Sequence, residues 1–153
     1  ADPMRCKYLG ESTFIRLSFI KKNHGTSLAI DIWAHHGKGA ARLVGGSLNR
    51  VEQMLEAAEC DIALMGHDHK KSIGTKTRFR LIHSDGGVRL SHRKVIIGRT
   101  GSFLKGYEDG RASYIVDAAM NPTDLGVIKI EMTPRRDTRD KKDVMYVDLH
   151  GSI

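Results

Sequence analysis

Two predicted strands joined by a predicted helix constrain the fold of this chain more than any other feature. Residues 27–34 alternate between apolar and other side chains, and residues 62–65 form a short apolar run typical of a buried strand. Between them, apolar side chains recur at helical spacing: Leu48, Val51, Met54, Leu55 and Ala58. Ser47 precedes this series as a predicted N-cap. A strand, a helix and a strand within roughly 40 residues predict a βαβ unit, whose crossover makes the two strands parallel.

Histidines stand where both of these predicted strands end. His36 follows the first strand, and His67 and His69 follow the second. The carboxyl ends of parallel neighbours meet at one edge of a sheet, where open α/β sheets bind their ligands. Imidazole is a common ligand of zinc, copper, iron and nickel. The sequence therefore predicts a metal site formed by His36, His67 and His69.

Each of these residues has an alternative interpretation. His35 competes with His36 for one ligand role, because strand alternation directs the two side chains to opposite sides. His67 and His69 could instead be polar residues of a loop at the end of a strand. Asp68, between them, either orients an imidazole through a hydrogen bond or is an ordinary loop acid.

His36-Gly37 and the tetrapeptide at 66–69, Gly-His-Asp-His, resemble the last two metal-binding motifs of the calcineurin-like metallophosphoesterases. The loop at 35–46 and the stretch at 99–107 are most similar to phage and bacterial members, and the resemblance covers roughly residues 12–132. It implies an α/β fold with a mixed β-sheet or sandwich and few helices. It also implies a divalent metal cofactor (Mn, Zn, Fe or Ni) and hydrolysis of phosphoesters. By the same resemblance, His36 and His67 bind one metal and His69 binds the other.

The chain departs from that family at its beginning. The family's earlier motifs, Asp-x-His, Gly-Asp-x-x-Asp and Gly-Asn-His-Asp/Glu, do not precede His35. The chain therefore resembles the C-terminal half of such an enzyme, with an incomplete metal site and no turnover expected from the chain alone. We expect another copy or a partner chain to supply the missing half. One Asp-x-His occurs at 148–150, where the end of a terminal strand is favoured over a permuted motif.

Positive charge is concentrated after the second histidine motif. Residues 70–105 contain ten Lys or Arg and one acid, Asp85. Their net charge of 10 − 1 = +9 exceeds the net charge of +7 of the whole chain. Lys76, Arg78 and Arg80 share one face of a predicted strand, which forms a hairpin with residues 88–93. Together with Lys70 and Lys71 they predict contacts with the phosphates of DNA or RNA. The alternative is a solvated strand face.

The loop between the first predicted strand and the helix is a second candidate phosphate-binding element. It carries Lys38, Gly39 and Arg42 in a charged, glycine-rich segment. Such loops can direct backbone N–H groups at an anion. A loop that only leads into the helix is the alternative.

Length and composition indicate one domain. The chain has 153 residues, of which 40% are hydrophobic and 6% aromatic. Residues 1–3 are interpreted as an expression remnant, 4–133 as a single metallophosphoesterase-like domain, 134–143 as a mixed-charge linker and 144–153 as a terminal strand. No apolar run reaches the length of a membrane span, so no membrane partner is expected. Cys6 and Cys60 suggest no disulfide framework, which favours a reducing, cytoplasmic location.

The favoured function is therefore the C-terminal portion of a metal-dependent phosphoesterase that acts on phosphodiesters such as nucleic acid. The alternative is a non-catalytic module of the same fold that binds nucleic acid or serves in assembly.

Overall fold

A central sheet of mixed strand direction organises the chain. The structure, a computed structural model, describes residues 9–20, 27–38, 43–84, 87–122, 125–139 and 142–153. The strands in these ranges are β1 (Ser12–Ile20), β2 (Ser27–His35), β3 (Ile62–Met65), β4 (Lys71–Ser84), β5 (Gly87–Ser102), β6 (Gly126–Val127), β7 (Lys129–Arg139) and β8 (Lys142–Ser152). The helices are α1 (Val44–Ala57) and the single-turn α2 (Tyr114–Asp117). The strand order in the central sheet is β1-β2-β3-β5-β4, with β6 paired to β5, and β7 and β8 form a separate two-stranded sheet.

The predicted βαβ unit is present. β2 and β3 are parallel neighbours, with His35 opposite Met65, and α1 connects them. β5 continues the parallel arrangement on the other side of β3, with Arg99 also opposite Met65. The carboxyl ends of three strands therefore lie at one edge of the sheet, which we call the carboxyl edge. The mixed sheet with few helices is compatible with the predicted α/β class.

The start of α1 differs from the prediction. The helix begins at Val44, after Leu43, and no side chain caps it. Ser47, predicted as the N-cap, is buried in the first turn, where its hydroxyl donates a hydrogen bond to the carboxylate of Asp68. A buried carboxylate gives this hydroxyl a partner outside the helix, so Ser47 is not needed to accept from the helical backbone. The prediction of Ser47 as the N-cap was wrong for this reason.

The core lies on both faces of the central sheet. One face packs against α1 through a cluster of buried side chains: Val51, Met54, Leu55, Cys60, Ala63, Met65, Val95 and Ile97. The opposite face packs against the β7–β8 hairpin through a second cluster: Ile30, Ile62, Ile96 and Leu149. Strand alternation explains the division, because neighbours such as Ile96 and Ile97 point to opposite faces. β3 and the second half of β5 are therefore apolar on both sides, as is typical of strands covered on two faces.

The segment at 134–143 is not a linker in the part of the chain that the structure describes. Residues 134–139 continue β7, and β8 begins at Lys142. The two strands pair antiparallel, with Pro134 opposite Val147 and Arg136 opposite Met145. The pairing satisfies backbone hydrogen bonds while the side chains of residues 134–136 stay exposed. High charge therefore did not prevent strand formation here. β8 contains the predicted terminal strand at 144–153 except for the last residue.

A buried acid bridges the sheet at the point where the short strand β3 begins. The backbone of Asp61 connects β2 to β5, since its N–H donates to the carbonyl of Asp31 and its carbonyl accepts from the N–H of Ile96. Its carboxylate accepts hydrogen bonds from the backbone N–H of Asp31 and from Nε of Arg93, at 2.9 and 2.5 Å. Asp31 is paired in turn with Arg16, whose hydrogen bonds hold the pKa of the Asp31 carboxyl below its usual value. Two acids, Asp31 and Asp61, thus lie side by side in the sheet, and each is neutralised by an arginine on its outer side.

Neither helix in the described ranges is long and apolar enough to cross a membrane.

Candidate metal centre

His36 and His67 come together at the carboxyl edge. Nε2 of His36 and Nδ1 of His67 are 3.1 Å apart, and the two rings meet edge to face with 5.1 Å between their centroids. The backbone explains the approach, because the N–H of Gly66 donates to the carbonyl of His35 and so extends the parallel pairing of β2 and β3 by one step. Topology thus brings together two side chains that are 31 positions apart in the sequence.

His35 does not share this arrangement. Its Nδ1 accepts a hydrogen bond of 2.7 Å from the backbone N–H of Gly37, which ties the ring to its own chain. His36 is exposed and faces His67, whereas His35 is half-buried. Of the two competing histidines, His36 is therefore the one whose ring nitrogen lies against the second motif.

His69 is directed elsewhere. Both of its ring nitrogens lie 3.4–3.5 Å from the hydroxyl of Tyr114 in α2. Within the described ranges, no group of three or more His, Cys, Asp or Glu side chains is arranged to hold a metal ion. The structure thus joins two of the three predicted metal ligands and places the third against a tyrosine.

The backbone of the second motif accounts for this divergence. His67 and His69 both have positive φ, at 75° and 57°. Left-handed backbone costs a residue other than glycine about 1–2 kcal/mol, so it persists only where surrounding contacts impose it. The sequence analysis predicted that His67 and His69 contribute to the same metal site. With both residues left-handed, the loop instead turns between them. Such conformations cluster at functional sites, which supports a role for this loop.

Asp68 anchors the loop to the interior instead of contacting an imidazole. Its side chain is buried and accepts a hydrogen bond from the Ser47 hydroxyl. Nε of Arg99 lies 3.6 Å from the same carboxylate, and the backbone N–H of Lys70 donates to its other oxygen. Neither sequence interpretation of Asp68 anticipated this arrangement. Sequence analysis also did not single out Arg99, although a charged residue that ends the apolar run at 95–98, beside the predicted site, was an available signal.

The histidine pair has a suitable geometry for one shared divalent ion. Metal–nitrogen bonds of about 2.0–2.1 Å place adjacent ligands of a tetrahedral or octahedral ion about 2.8–3.4 Å apart. The 3.1 Å between Nε2 of His36 and Nδ1 of His67 falls inside that range. Two imidazoles leave at least two coordination positions for other donors.

A cleft of about 320 Å³ opens beside His36. Its lining includes Glu11, Thr13, His36, Gly66 and Thr100. The backbone N–H of His36 donates to the carbonyl of Glu11, which fixes the start of β1 next to the histidine. The cleft is at the lower end of the size range of small-ligand sites, about 300–1,000 Å³.

The predicted nucleic-acid contacts do not form one surface. Lys71 of β4 lies opposite Thr100 of β5 at the carboxyl edge. Alternation along β4 directs the Lys71 side chain to the face opposite that of Lys76, Arg78 and Arg80. Lys76 forms an ion pair of 2.7 Å with Glu52 of α1. Arg80 lies nine residues beyond Lys71, and at about 3.4 Å per residue it is about 31 Å from that edge. Lys70 and Lys71 adjoin the histidines, whereas Arg78 and Arg80 lie at the far end of the hairpin.

A further arginine joins that far end. Arg89 of β5 lies opposite Ile82 of β4, two positions beyond Arg80 and on the same face. Arg80 and Arg89 are exposed, Arg78 is half-buried, and none of the three forms an ion pair within the described part of the chain. We call Arg78, Arg80 and Arg89 the distal arginine patch.

The predicted phosphate-binding loop is only partly described. Lys38 is exposed at the end of the segment that carries His36. Gly39 and Arg42 lie outside the described residues.

Comparisons of the chain with protein-family models, with curated proteins and with solved structures find no match.

Proposed function

We propose that this chain contributes part of the metal centre of a phosphoesterase of the calcineurin-like type, which hydrolyses phosphodiesters such as nucleic acid. One observation carries the proposal: two imidazole nitrogens from successive strand ends lie 3.1 Å apart at the carboxyl edge of a mixed sheet. The motif resemblance and the left-handed backbone at His67 and His69 support it independently.

In this proposal His36 binds a divalent ion (Mn, Zn, Fe or Ni) through Nε2, and His67 binds it through Nδ1. A bound ion of this kind supplies Lewis-acid chemistry to a phosphoryl group. His69, held by Tyr114, belongs to a second metal position. In this proposal a partner chain or a second copy supplies the other ligands, in addition to the two imidazoles that meet among the described residues. The isolated chain is then a metal-binding but inactive part of the enzyme.

The chain's own residues would orient the ester. The cleft beside His36 is the place for the organic group of the substrate, and Lys38 and Lys70 bring positive charge to the same edge. Gly39 and Arg42 extend this anion-binding role in the proposal. The free, buried thiol of Cys60, whose pKa burial raises, accords with a reducing cytoplasm as the place of action.

Metal and diester binding test this proposal. In calorimetric titration with Mn²⁺, the wild-type chain should bind about one ion, and His36→Ala or His67→Ala should each weaken binding at least about tenfold, since one of two imidazoles is lost. The bound Mn²⁺ should broaden the ³¹P resonance of a thymidine dinucleotide, whereas turnover of that diester should be negligible.

His150→Ala is the matched control, because it removes an exposed histidine of β8. This variant should bind Mn²⁺ and broaden the ³¹P line as the wild type does. Equal Mn²⁺ affinity in all variants would contradict a metal centre at His36 and His67. Rapid hydrolysis by the chain alone would contradict the incomplete site.

The distal arginine patch favours a second candidate function, a nucleic-acid-binding module. Three arginines share one face of a two-stranded ribbon, and none of them forms an ion pair within the described ranges, although Arg80 is close enough to Asp31 to help lower the pKa of that carboxyl. Lys76 and Arg93, on the same face, are neutralised by Glu52 and Asp61. The distal arginine patch is far from the carboxyl edge, so a nucleic acid can occupy it without reaching the histidines.

Salt-dependent binding tests the module. Affinity for duplex DNA should fall with salt, and Arg80→Ala/Arg89→Ala should weaken it on all sequences and flatten the slope of log K against log[salt] by about 0.9 for each lost phosphate contact. The control Arg111→Ala/Lys129→Ala removes two exposed cations that are already paired with Glu108 and Glu131. If both double variants bind DNA alike, the distal arginine patch is only a solvated face.

A further inference from the structure

Arg99 is the most completely buried charged side chain among the described residues, and it contacts the residues on either side of His67. Its exposed fraction is 0%, although it ends the parallel part of β5, opposite Met65. Full burial excludes contact with a substrate at the surface. A charge in the interior is retained only where fixed partners compensate it, so the partners of Arg99 indicate what it does.

The guanidinium connects three separate segments. Nε donates to the carbonyl of Ser47 in the first turn of α1, at 3.0 Å, and Nη1 donates to the carbonyl of Gly66 at 2.7 Å. The carboxylate of Asp68 lies 3.6 Å from Nε. Gly66 and Asp68 immediately flank His67, so Arg99 holds the chain on both sides of a residue with left-handed backbone.

We propose that Arg99 is a positioning residue that clamps the loop at 66–69 to α1 and thereby keeps the imidazole of His67 within ligand distance of His36. This inference rests on the proposed function, because it takes the histidine pair as a metal site. The effect of Arg99 on the backbone of the loop does not depend on that function.

The clamp explains why an unfavourable backbone persists at two histidines. If the loop relaxed, Gly66 and Asp68 would move away, and the buried guanidinium would keep only the carbonyl of Ser47 as a partner. One of its nitrogens, Nη2, already has no hydrogen-bond partner among the described residues, and burial lowers the pKa of this arginine. The buried guanidinium therefore needs the loop for its partners, and the loop needs the guanidinium to keep its left-handed backbone. Ser47 completes the connection, because its hydroxyl also binds Asp68.

Lysine cannot replace arginine in this arrangement. The guanidinium presents several N–H donors in a rigid plane and reaches two carbonyls at once, whereas an ammonium is a compact charge on a flexible chain. Arg99→Lys thus keeps the charge and removes the fork. Arg135→Lys is the matched control, since it makes the same change at an exposed position of β7, outside both proposed sites.

Two measurements test the clamp. Electron paramagnetic resonance with one equivalent of Cu²⁺ should show two coupled imidazole nitrogens in the wild type and in Arg135→Lys, but one in Arg99→Lys. The Cu²⁺ affinity of Arg99→Lys should be about 10–100-fold weaker, as for other residues that orient metal ligands. NMR couplings that report the sign of φ should show positive φ at His67 and His69 in the wild type and its loss in Arg99→Lys.

The outcomes separate the clamp from the proposed function. Two imidazoles and positive φ retained in Arg99→Lys would overturn the clamp. If wild-type Cu²⁺ contacts fewer than two imidazoles, the proposed metal centre fails, and the φ couplings alone decide the clamp: their loss in Arg99→Lys supports it and their retention overturns it. If Arg99→Lys does not fold, Asp68→Asn replaces it. This variant removes the charge that faces Arg99, and wild-type couplings and Cu²⁺ spectra in it would likewise overturn the clamp.

Discussion

Asp61→Ala should lower the free energy of unfolding by about 3–5 kcal/mol, the cost of removing one partner from a buried ion pair. The side chains of Asp61 and Arg93 are only 7% and 22% exposed. The substitution leaves Arg93 with an uncompensated charge and the backbone N–H of Asp31 without its acceptor. The backbone hydrogen bonds of residue 61 to Asp31 and Ile96 remain possible in alanine, so the loss reports the carboxylate alone. Urea-induced unfolding, followed by circular dichroism, measures the loss.

Glu52→Ala is the matched control for Asp61→Ala. Glu52 forms an ion pair with Lys76 at a similar distance, 2.7 Å, but the two side chains are 43% and 41% exposed. An exposed pair contributes about 0–1 kcal/mol, because water screens the attraction and holding two long side chains costs entropy. Equal losses in the two variants would contradict the role of Asp61 as a buried bridge.

Gly37→Ala should destabilise the fold by about 2–4 kcal/mol and weaken metal binding at His36 at least about tenfold. Gly37 follows His36 and has φ of +90°, a conformation that L side chains rarely adopt. An added Cβ would lie 2.7 Å from Cγ of Met65 and 3.1 Å from the carbonyl oxygen of Gly66. Relief requires the backbone to move, and His36 moves with it. Urea unfolding and Mn²⁺ titration measure the two effects.

Gly45→Ala is the control for Gly37→Ala. Gly45 lies in the first turn of α1, and an added Cβ there meets nothing within 4 Å. Alanine is the better helix former, so this variant should be more stable than the wild type by about 0.5–1 kcal/mol and should bind Mn²⁺ unchanged. A loss of stability at Gly45 equal to that at Gly37 would mean that strain at Gly37 is not the cause.

Much of the fold could be predicted because its signals are local. The apolar run at 62–65 matches β3 residue for residue, and the helical spacing after Ser47 predicted most of α1. The order of strand, helix and strand then required parallel neighbours with their carboxyl ends at one edge. That topology was enough to predict that His36 and His67 meet.

The remainder of the candidate site depended on contacts between segments distant in the sequence. Alternation along β4 and β5 is local, yet which basic residues of this hairpin form ion pairs depends on Glu52 in α1 and Asp61 before β3. The charged stretch at 134–143 has the composition of a linker, but pairing with β8 makes its described residues part of a hairpin. Its strand character comes from a partner that local propensity does not reveal.

The sequence by itself determined the strand–helix–strand order, the edge where the histidines emerge and the side of each strand on which a residue lies. These properties follow from periodicity and chain direction, which are fixed by neighbours along the chain. Only the tertiary structure decided that His69 turns to Tyr114, that Ser47 binds Asp68 and that Arg99 is buried beneath the loop. The physical reason is that a buried charge and a left-handed backbone are each unfavourable alone and persist only when packed segments satisfy both at once.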